Sequence, residues 1–349
     1  MRRLMPPSVP VAAAVALAAL AATGCGSASV HDLPPAAEPA RSPPLTRAPA
    51  GHLVPVGPGP EGLAADPVSR RLLVGLRDPA GLALVDTRRE RVVRRIAIAG
   101  AARHLALERP GGAFLVPAER ADRLLRVRPS DGRVTTDVRV GAFPHDATAA
   151  GARVFVGDER GDAVSVVQGS RVSATLRVAA QPGGLAAPDK GRLVAVVSVR
   201  ERVLELFDTR TLRRVGRAAA GVGPTHVVAD APGRLLYVVD TQGDALLVFR
   251  LRPRLQLVRR VSLPGRPYGI ALDARRARLY VTLTARNELV ELPAHGRPHP
   301  VRSFATARQP DTVAVDEPTG KVFVTARIAG SLQVLDPRTA RPSTQTAPR

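Results

Sequence analysis

The sequence predicts an all-β fold that is built from seven copies of one unit of four antiparallel strands. From residue 51 onward, a short turn followed by a small apolar strand recurs seven times. A valine in the second strand recurs at intervals of 40 to 43 residues, and the third strand ends 12 positions after that valine in every copy. Four short strands per repeat of about 42 residues are typical of a β-propeller, so the chain predicts seven blades.

The first strand of each predicted blade follows an anchor residue, which is proline in six blades and alanine in the second. The anchors are Pro60, Ala102, Pro144, Pro182, Pro224, Pro267 and Pro310. In a propeller, the turn before the first strand and the hairpin between the second and third strands share one face of the ring, around the channel mouth. Residues beside the anchors are therefore candidates for a site at that mouth.

The second strand of each blade ends in an aliphatic, aromatic or small residue followed by valine, and the third strand ends in a polar residue or proline. The valines are Val74, Val116, Val156, Val196, Val238, Val281 and Val324, and the third strands end at Asp86, Arg128, Gln168, Asp208, Arg250, Pro293 and Asp336. A helical solenoid of this period would need apolar residues at helical spacing. These segments are instead rich in β-branched residues and are bounded by turn residues, which favours strands.

A fourth apolar run completes each blade, as at 92–98 and 257–263, except in the seventh. There the chain continues into a tail at 339–349 that is rich in Pro, Thr and Ser, and we expect this tail to be disordered. A spare strand lies at 52–56, at the start of the predicted propeller domain, which spans 51–338. We predict that this strand closes the last blade, because ring closure removes exposed sheet edges.

The N-terminus resembles the signal peptide of a bacterial lipoprotein. Arg2 and Arg3 precede an apolar run of 14 residues at 9–22, which is too short to span a bilayer. The sequence Ala-Thr-Gly-Cys at 22–25 resembles a lipobox, although Ala22 stands where Leu is usual. The resemblance implies a signal peptide over 1–24, acylation of Cys25 and an extracytoplasmic protein anchored to the cell membrane. An ordinary signal peptide, or a cysteine at this place by chance, remains the alternative.

Residues 25–50 are rich in Pro, Ala and Ser, and we expect an extended, unfolded tether between the membrane and the propeller. Cys25 is the only cysteine, so the chain can form no intramolecular disulfide.

Three segments carry a resemblance to a known repeat: LYVVDT at 236–241, LYVTLT at 279–284 and VFVTAR at 322–327. They resemble the repeat of the YVTN-type propeller proteins, as do the Asp-Thr turns at 86–87 and 208–209. The resemblance covers 52–338, and the family includes lactonase-like enzymes, surface-layer proteins and extracytoplasmic binding proteins. The asparagine that closes the YVTN motif is absent from all seven copies, so the resemblance implies the fold but no particular activity.

The net charge of +21 comes almost entirely from arginine, because only two of the 51 basic residues are lysines. Arginines occur along the whole chain, whereas a nucleic-acid-binding protein collects its basic residues in one patch or stripe. This distribution argues against nucleic acid as a partner. The arginines on the predicted outer strands are best explained as charges that keep the sheet edges from pairing with other sheets. The alternative interpretation is that they attract anionic lipid head groups.

Polar residues one or two positions after the anchors are the candidate site. They are Glu61, His104, His145, Asp146, His226, Tyr268 and Asp311. Because ring symmetry brings equivalent positions to one circle, we expect these residues around one mouth of the channel, where they would bind a ligand. The alternative interpretation is that they cap strand ends and line a water-filled channel.

No metal, other cofactor or catalytic residue is predicted. His104 and His226 share one register and His145 is offset by one, so their side chains should diverge. His295 and His299 are separated by Gly296 and Pro298, which indicates a turn. Nucleophile, P-loop and dinucleotide motifs are all absent, and the constant hairpin length predicts an open face without a lid.

The sequence is compatible with two functions. The first is a monomeric binding or scaffolding lipoprotein that presents one face to a small molecule or an envelope protein. The second is an enzyme of lactonase or lyase type, with His145 or His226 as general base and with Glu61, Asp146 or Asp311 binding a metal or substrate. The absence of a nucleophile motif favours the first.

Overall fold

Seven four-stranded antiparallel sheets form a closed ring in the computed structural model, which describes residues 33–230 and 232–343. The predicted all-β, seven-bladed propeller is confirmed. In six blades the strands run outward from the axis in sequence order, and in the seventh the outermost strand comes from the start of the propeller domain. Among the described residues, only a 3-10 turn at Glu119–Ala121 and a short helical turn at Pro188–Gly191 are not strand or loop.

The strand bounds follow the predicted repeat. β1 (His52–Pro55) precedes blade 1, which contains β2 (Pro60–Asp66), β3 (Arg71–Leu76), β4 (Gly81–Asp86) and β5 (Arg91–Ala97). Blade 2 contains β6 (Ala106–Leu107), β7 (Phe114–Ala118), β8 (Arg123–Val127) and β9 (Val134–Arg139). Blade 3 contains β10 (Pro144–Ala150), β11 (Arg153–Asp158), β12 (Ala163–Gln168) and β13 (Arg171–Arg177). Blade 4 contains β14 (Pro182–Ala186), β15 (Leu193–Ser198), β16 (Val203–Asp208) and β17 (Arg214–Ala219).

The remaining blades have the same pattern. Blade 5 contains β18 (Pro224–Ala229), β19 (Leu235–Asp240), β20 (Ala245–Arg250) and β21 (Gln256–Ser262). Blade 6 contains β22 (Pro267–Asp273), β23 (Arg278–Leu283), β24 (Glu288–Pro293) and β25 (Arg302–Ala305). Blade 7 contains β26 (Val313–Asp316), β27 (Lys321–Ala326) and β28 (Ser331–Leu335).

Strand β1 supplies the fourth strand of blade 7, as predicted. It pairs antiparallel with β28, with His52 opposite Val334 and Pro55 opposite Ser331. Val54 and the adjoining Val56 are buried in the apolar cluster between blades 7 and 1. Closure therefore joins the two ends of the propeller domain through backbone pairing and through shared apolar burial.

The hydrophobic core lies between the blades. Among the described residues, seven apolar clusters occupy the seven interfaces between neighbouring blades. Side chains alternate along each strand: Leu72 and Val74 of β3 pack towards blade 7, whereas Leu73 packs towards blade 2. Because both sheet faces are covered, the second and third strands are mostly apolar, and their burial is the main stabilising term of the fold.

The innermost strands approach one another closely and depart from regular pairing. A Cβ atom on Gly269 would lie 2.4 Å from the carbonyl oxygen of Asp311, so only glycine fits there. In five blades the register between first and second strands breaks within three residues of the anchor, for example between Pro144 and Asp146. Such breaks re-aim side chains, and here they do so at the channel mouth.

The Asp-Thr turns that contribute to the family resemblance have a structural explanation. Asp86 Oδ1 accepts hydrogen bonds from the backbone N–H groups of Arg88 and Arg89, at 2.9 and 3.0 Å. Asp208 Oδ1 accepts one from Thr211 N at 2.7 Å. These aspartates hold the turn between the third and fourth strands, as short polar side chains commonly do.

Residues 34–50 differ from the unfolded tether that we expected. They contain no helix or strand, but they pack against the propeller, and Ser42 is only 2% exposed. Cys25 and the signal sequence lie outside the described residues, as do positions 344–349 of the predicted tail. The lipid anchor and the domain boundaries therefore stay predictions. In the described part of the chain, no helix is long and apolar enough to cross a membrane.

Candidate functional site at the channel mouth

Three imidazoles and one phenol meet at the channel mouth. The ring of His104 lies 4.6 Å from that of His145 and 4.4 Å from that of His226, between centroids. The ring of Tyr268 packs edge-on against His226 at 4.6 Å. All four side chains are buried, and they come from blades 2, 3, 5 and 6. We call these four residues the mouth cluster.

The prediction that the histidines diverge is wrong. It assumed regular alternation along each first strand. His145 instead lies at the register break between Pro144 and Asp146, and His104 lies in the loop before β6, where no strand constrains it. Both departures turn the side chains towards the channel axis, so residues in different registers converge.

Hydrogen bonds define which ring nitrogen carries the proton in His226 and His104. His226 Nδ1 lies 2.9 Å from the carbonyl oxygen of Tyr268 and must donate to it. His226 Nε2 can then accept from His104 Nε2, which lies 3.1 Å away. Burial, followed by the charge of His145, lowers the pKa of His226 to about 3. Burial also lowers the pKa of His104, so both rings are neutral at ordinary pH.

His145 is the histidine of the cluster whose environment favours the protonated form. Its Nδ1 lies 3.1 Å from Glu119 Oε1 and 3.5 Å from Glu159 Oε2. Burial lowers the pKa of His145, but the hydrogen bond to Glu119 and the charge of Glu159 outweigh it, and the pKa is raised. Burial likewise raises the pKa of Glu119, but the same hydrogen bond outweighs it and lowers that pKa. The two carboxylates therefore stabilise the protonated form of His145.

Arginines and carboxylates alternate beside the mouth cluster. Glu61 accepts from Arg77 at 2.6 Å and lies 3.1 Å from Arg327, which also approaches Asp311 at 3.6 Å. Burial raises the pKa of Asp311 to about 6, although Gln309 Nε2 donates to its Oδ1 at 3.0 Å. Arginine and carboxylate side chains therefore lie within a few ångströms of one another at the mouth, and they are largely shielded from water.

Six of the seven predicted site residues lie in this network, and Asp146 does not. Both carboxylate oxygens of Asp146 accept backbone N–H groups at 2.8 Å, one from Ala147 and one from Leu185 of β14. Asp146 therefore links the first strands of blades 3 and 4, and burial raises its pKa to about 6. Its place beside an anchor therefore has a structural reason, because it ties two neighbouring first strands together.

The hairpins between the second and third strands supply further residues at the mouth. Glu159 and several arginines were expected there from the sequence, whereas Glu119 was not, and these residues share one position in the repeat. They occupy the third position after the repeat valine: Arg77, Glu119, Glu159, Val199, Thr241, Thr284 and Arg327. This position begins the hairpin between the second and third strands, so symmetry brings all copies to the same face. Among the carboxylates and arginines of the mouth, four come from this set.

Glu119, His145 and Glu159 form the one group of potential metal ligands found among the described residues, with ligand atoms within 4.8 Å of one another. A tetrahedral Zn²⁺ site would take such ligands at about 2.0–2.2 Å. Against a cation, Arg103 lies 3.7 Å and Arg77 3.9 Å from Glu119. A proton on His145 satisfies the same carboxylates, so the group has the donors for a metal but an unfavourable charge environment.

The mouth is not open, which corrects the expectation of a face without a lid. Residues 34–44, which we call the covering segment, run across it from blade 4 to blades 6 and 7. Arg200 Nε donates to the carbonyl oxygen of Pro34 at 3.2 Å, and Asn287 Nδ2 donates to that of Pro43 at 3.0 Å. Between them, Glu38 lies 3.4 Å from Arg103. The hairpins are short, as predicted, but the cover comes from the N-terminal segment.

No protein-family model matches the chain, and no curated protein matches it. Its fold is similar to that of several solved structures. One is the β-propeller domain of Cps50 (Swd1) from Myceliophteria thermophila, with a TM-score of 0.72, 13% identity, and coverage of 82% of this chain and 99% of that chain. Another is the hydrazine synthase of Kuenenia stuttgartiensis, with a TM-score of 0.71, 14% identity, and coverage of 80% and 96%.

A streptogramin B lyase is similar as well, with a TM-score of 0.69, 10% identity, and coverage of 84% of this chain and 98% of that chain. At these identities the similarities show the propeller fold alone. The propeller fold occurs both in these two enzymes and in the Cps50 domain, so it does not indicate an activity. The YVTN resemblance stays a prediction.

Proposed function

We propose that this protein is a lipid-anchored extracytoplasmic propeller that binds a ligand at the mouth of its channel. The observation that supports this most is the convergence of three buried imidazoles, arginines and carboxylates at one desolvated site. Buried charges contribute little to stability, since well-packed apolar residues in their place are often neutral or stabilising. Perturbed titrating groups that gather in a recess are typical of functional sites.

Arg103 is the residue on which a binding test can be built. Its side chain is 20% exposed, it faces the covering segment through Glu38, and its Nε is buried without a hydrogen-bond partner. A ligand carboxylate would form an ion pair with this guanidinium. Removing one partner of a buried ion pair weakens binding strongly, so a substitution of Arg103 should be easy to detect.

We would screen carboxylic acids, amino acids and short peptides by ligand-observed NMR on the full-length protein. We expect at least one compound to bind and to bind about tenfold more weakly to Arg103→Gln, a loss of about 1.4 kcal/mol. The matched control is Arg213→Gln, an exposed arginine between the third and fourth strands of blade 4. The proposal fails if nothing binds, or if the two variants weaken binding equally.

The alternative function is an enzyme, and one observation favours it. Glu119 accepts a hydrogen bond from His145 Nδ1 and orients the ring, so that in the neutral form of His145 the other nitrogen would be free to act as a general base. Metal content of the purified protein and hydrolysis of a lactone panel test this function. Turnover that is lost in His145→Ala would support it, whereas turnover that persists in that variant would contradict it.

A further inference from the structure

The covering segment is held mainly through its backbone. Gln309 is the central contact, because its Nε2 donates to the carbonyl oxygen of Ala40 at 2.9 Å and its Oε1 accepts from Ser42 N at 3.0 Å. Thr284 Oγ1 accepts from Ala40 N at 3.0 Å. One side-chain amide thus binds the C=O and N–H of residues two apart, which is how a neighbouring β-strand would satisfy an extended chain.

Contacts with backbone oxygens continue at both ends of the segment. Arg308 lies 3.3 Å from the carbonyl oxygen of Ser42, Asn287 binds Pro43 and Arg200 binds Pro34. Bonds to backbone atoms do not distinguish one sequence from another, so apart from Ser42, whose Oγ also bonds to Thr284 and Gln309, this surface can hold an extended chain with small side chains. Proline favours that conformation before binding, which lowers the entropy lost on docking.

Only one side chain of the segment makes an ion pair with the mouth, and that pair is incomplete. Glu38 is 55% exposed and reaches Arg103 Nη1 at 3.4 Å, longer than a good charged hydrogen bond. Arg103 Nε, 3.7 Å from Glu119, has no hydrogen-bond partner, and neither has Asp311 Oδ2. Buried polar groups are normally satisfied, so the segment is an imperfect occupant of this surface.

We propose that the channel mouth is a peptide-binding groove for an extended, proline-containing segment of another protein that places a carboxylate on Arg103, and that residues 34–44 are its built-in competitor. This inference rests on the proposed function and names its ligand class. A tethered competitor acts at millimolar effective concentration, so even weak docking excludes weak ligands. A partner whose carboxylate engages both Nε and Nη1 of Arg103 would have the advantage.

The experiment measures binding of a fluorescent peptide with the sequence of residues 33–45 to the full-length protein by anisotropy. The double variant Glu38→Gln/Ser42→Ala weakens the built-in segment, because Ser42 Oγ donates to Thr284 O at 2.6 Å. We expect this variant to bind the peptide about tenfold more tightly than the wild-type protein does. A peptide with glutamine at the glutamate position should bind the variant about tenfold more weakly.

Adding Arg103→Gln to the double variant should abolish the difference between the two peptides, whereas adding Arg213→Gln should leave it intact. Circular dichroism verifies that each variant is folded. The inference is overturned if the folded double variant binds no peptide, or if the glutamate and glutamine peptides bind it equally. If small acids bind in an Arg103-dependent way but the peptide does not bind, this inference is wrong and the proposed function stands. If neither the acids nor the peptide binds, both the inference and the proposed function are wrong.

Discussion

At the scale of single residues, the mouth cluster is a set of groups whose protonation states depend on one another. His226 Nδ1 donates a hydrogen bond to the carbonyl oxygen of Tyr268, so His226 Nε2 can accept one from His104 Nε2. Two carboxylates stabilise the protonated form of His145. Replacing any one of these residues changes what its neighbours can accept or donate, so effects on stability should be larger than for surface histidines.

Stability should depend on pH through His226. Its pKa is about 3 in the folded protein against an ordinary value of 6.5. The unfolded chain therefore binds more protons between these values, and stability falls as the pH falls below 6.5. Asp311 acts in the opposite direction, since its pKa is raised from 3.8 to about 6 and its contribution is lost as the pH rises through that range.

Comparison of wild type with His226→Gln isolates the first effect. We expect the difference in unfolding free energy, wild type minus variant, to fall by about 1.4 kcal/mol per pH unit between about pH 5.5 and 4. Urea unfolding at a series of pH values measures it. Parallel curves for the two proteins would show that His226 is not neutral and buried as described.

His145→Ala should destabilise the protein by about 1–3 kcal/mol, because Glu119 and Glu159 lose a buried hydrogen-bond and charge partner, while Arg103 and Arg77 stay 3.7 and 3.9 Å from Glu119. The structure buries these side chains, so their loss affects the stability of the fold. His299→Ala, in an exposed hairpin, is the matched control and should change the stability by less than about 0.5 kcal/mol. Denaturant unfolding compares the two, and equal effects would contradict the ion-pair assignment.

At the scale of elements, β1 and the covering segment come from the same end of the chain but are attached to the propeller in different ways. β1 adds a strand to blade 7 and is held by a backbone ladder and apolar burial. The covering segment, a few residues earlier, forms no ladder and buries little apolar surface, with Ala37 its one fully buried apolar side chain among those described. The first should therefore be permanent and the second exchangeable.

Deleting residues 52–56 should lower the melting temperature and expose the edge of β28, and thereby promote self-association. The physical reason is that Val54 and Val56 leave the cluster between blades 7 and 1, while the backbone groups of β28 lose their partner. Calorimetry and size-exclusion chromatography measure both effects. Leu53→Ser, a change at an exposed position of the same strand, is the control and should be nearly neutral. An unchanged melting temperature in the deletion would refute the closure.

At the scale of the whole molecule, the ring brings together residues that are distant in sequence. Glu61 and Asp311 are 250 positions apart, and Arg327 contacts both. No local pattern specifies such a contact. It follows from the number of blades and from closure, because only a complete ring places blade 7 beside blade 1.

The membrane anchor is a prediction about the whole molecule that a single substitution tests. Cys25→Ser should move the protein from the membrane fraction to the soluble fraction and remove the mass of the acyl chains. The reason is that two or more acyl chains provide stable anchoring, whereas the polypeptide would otherwise be released after cleavage. Fractionation with mass spectrometry checks this. A wild-type protein without acyl mass would contradict the lipidation, whatever its location.

The sequence by itself determined the propeller, its seven blades and the closing strand, because these depend on strand spacing and on covering both faces of every sheet. It also determined that Glu61, His104, His145, His226, Tyr268 and Asp311 share one face, since ring symmetry maps equivalent positions to one circle. Only the tertiary structure decided which of the candidate residues touch. Register breaks at the innermost strands turned His145 towards His104 and tied Asp146 to β14. The covering segment was also beyond prediction, because its docking relies on backbone hydrogen bonds to Gln309 and Thr284, for which no side-chain pattern exists.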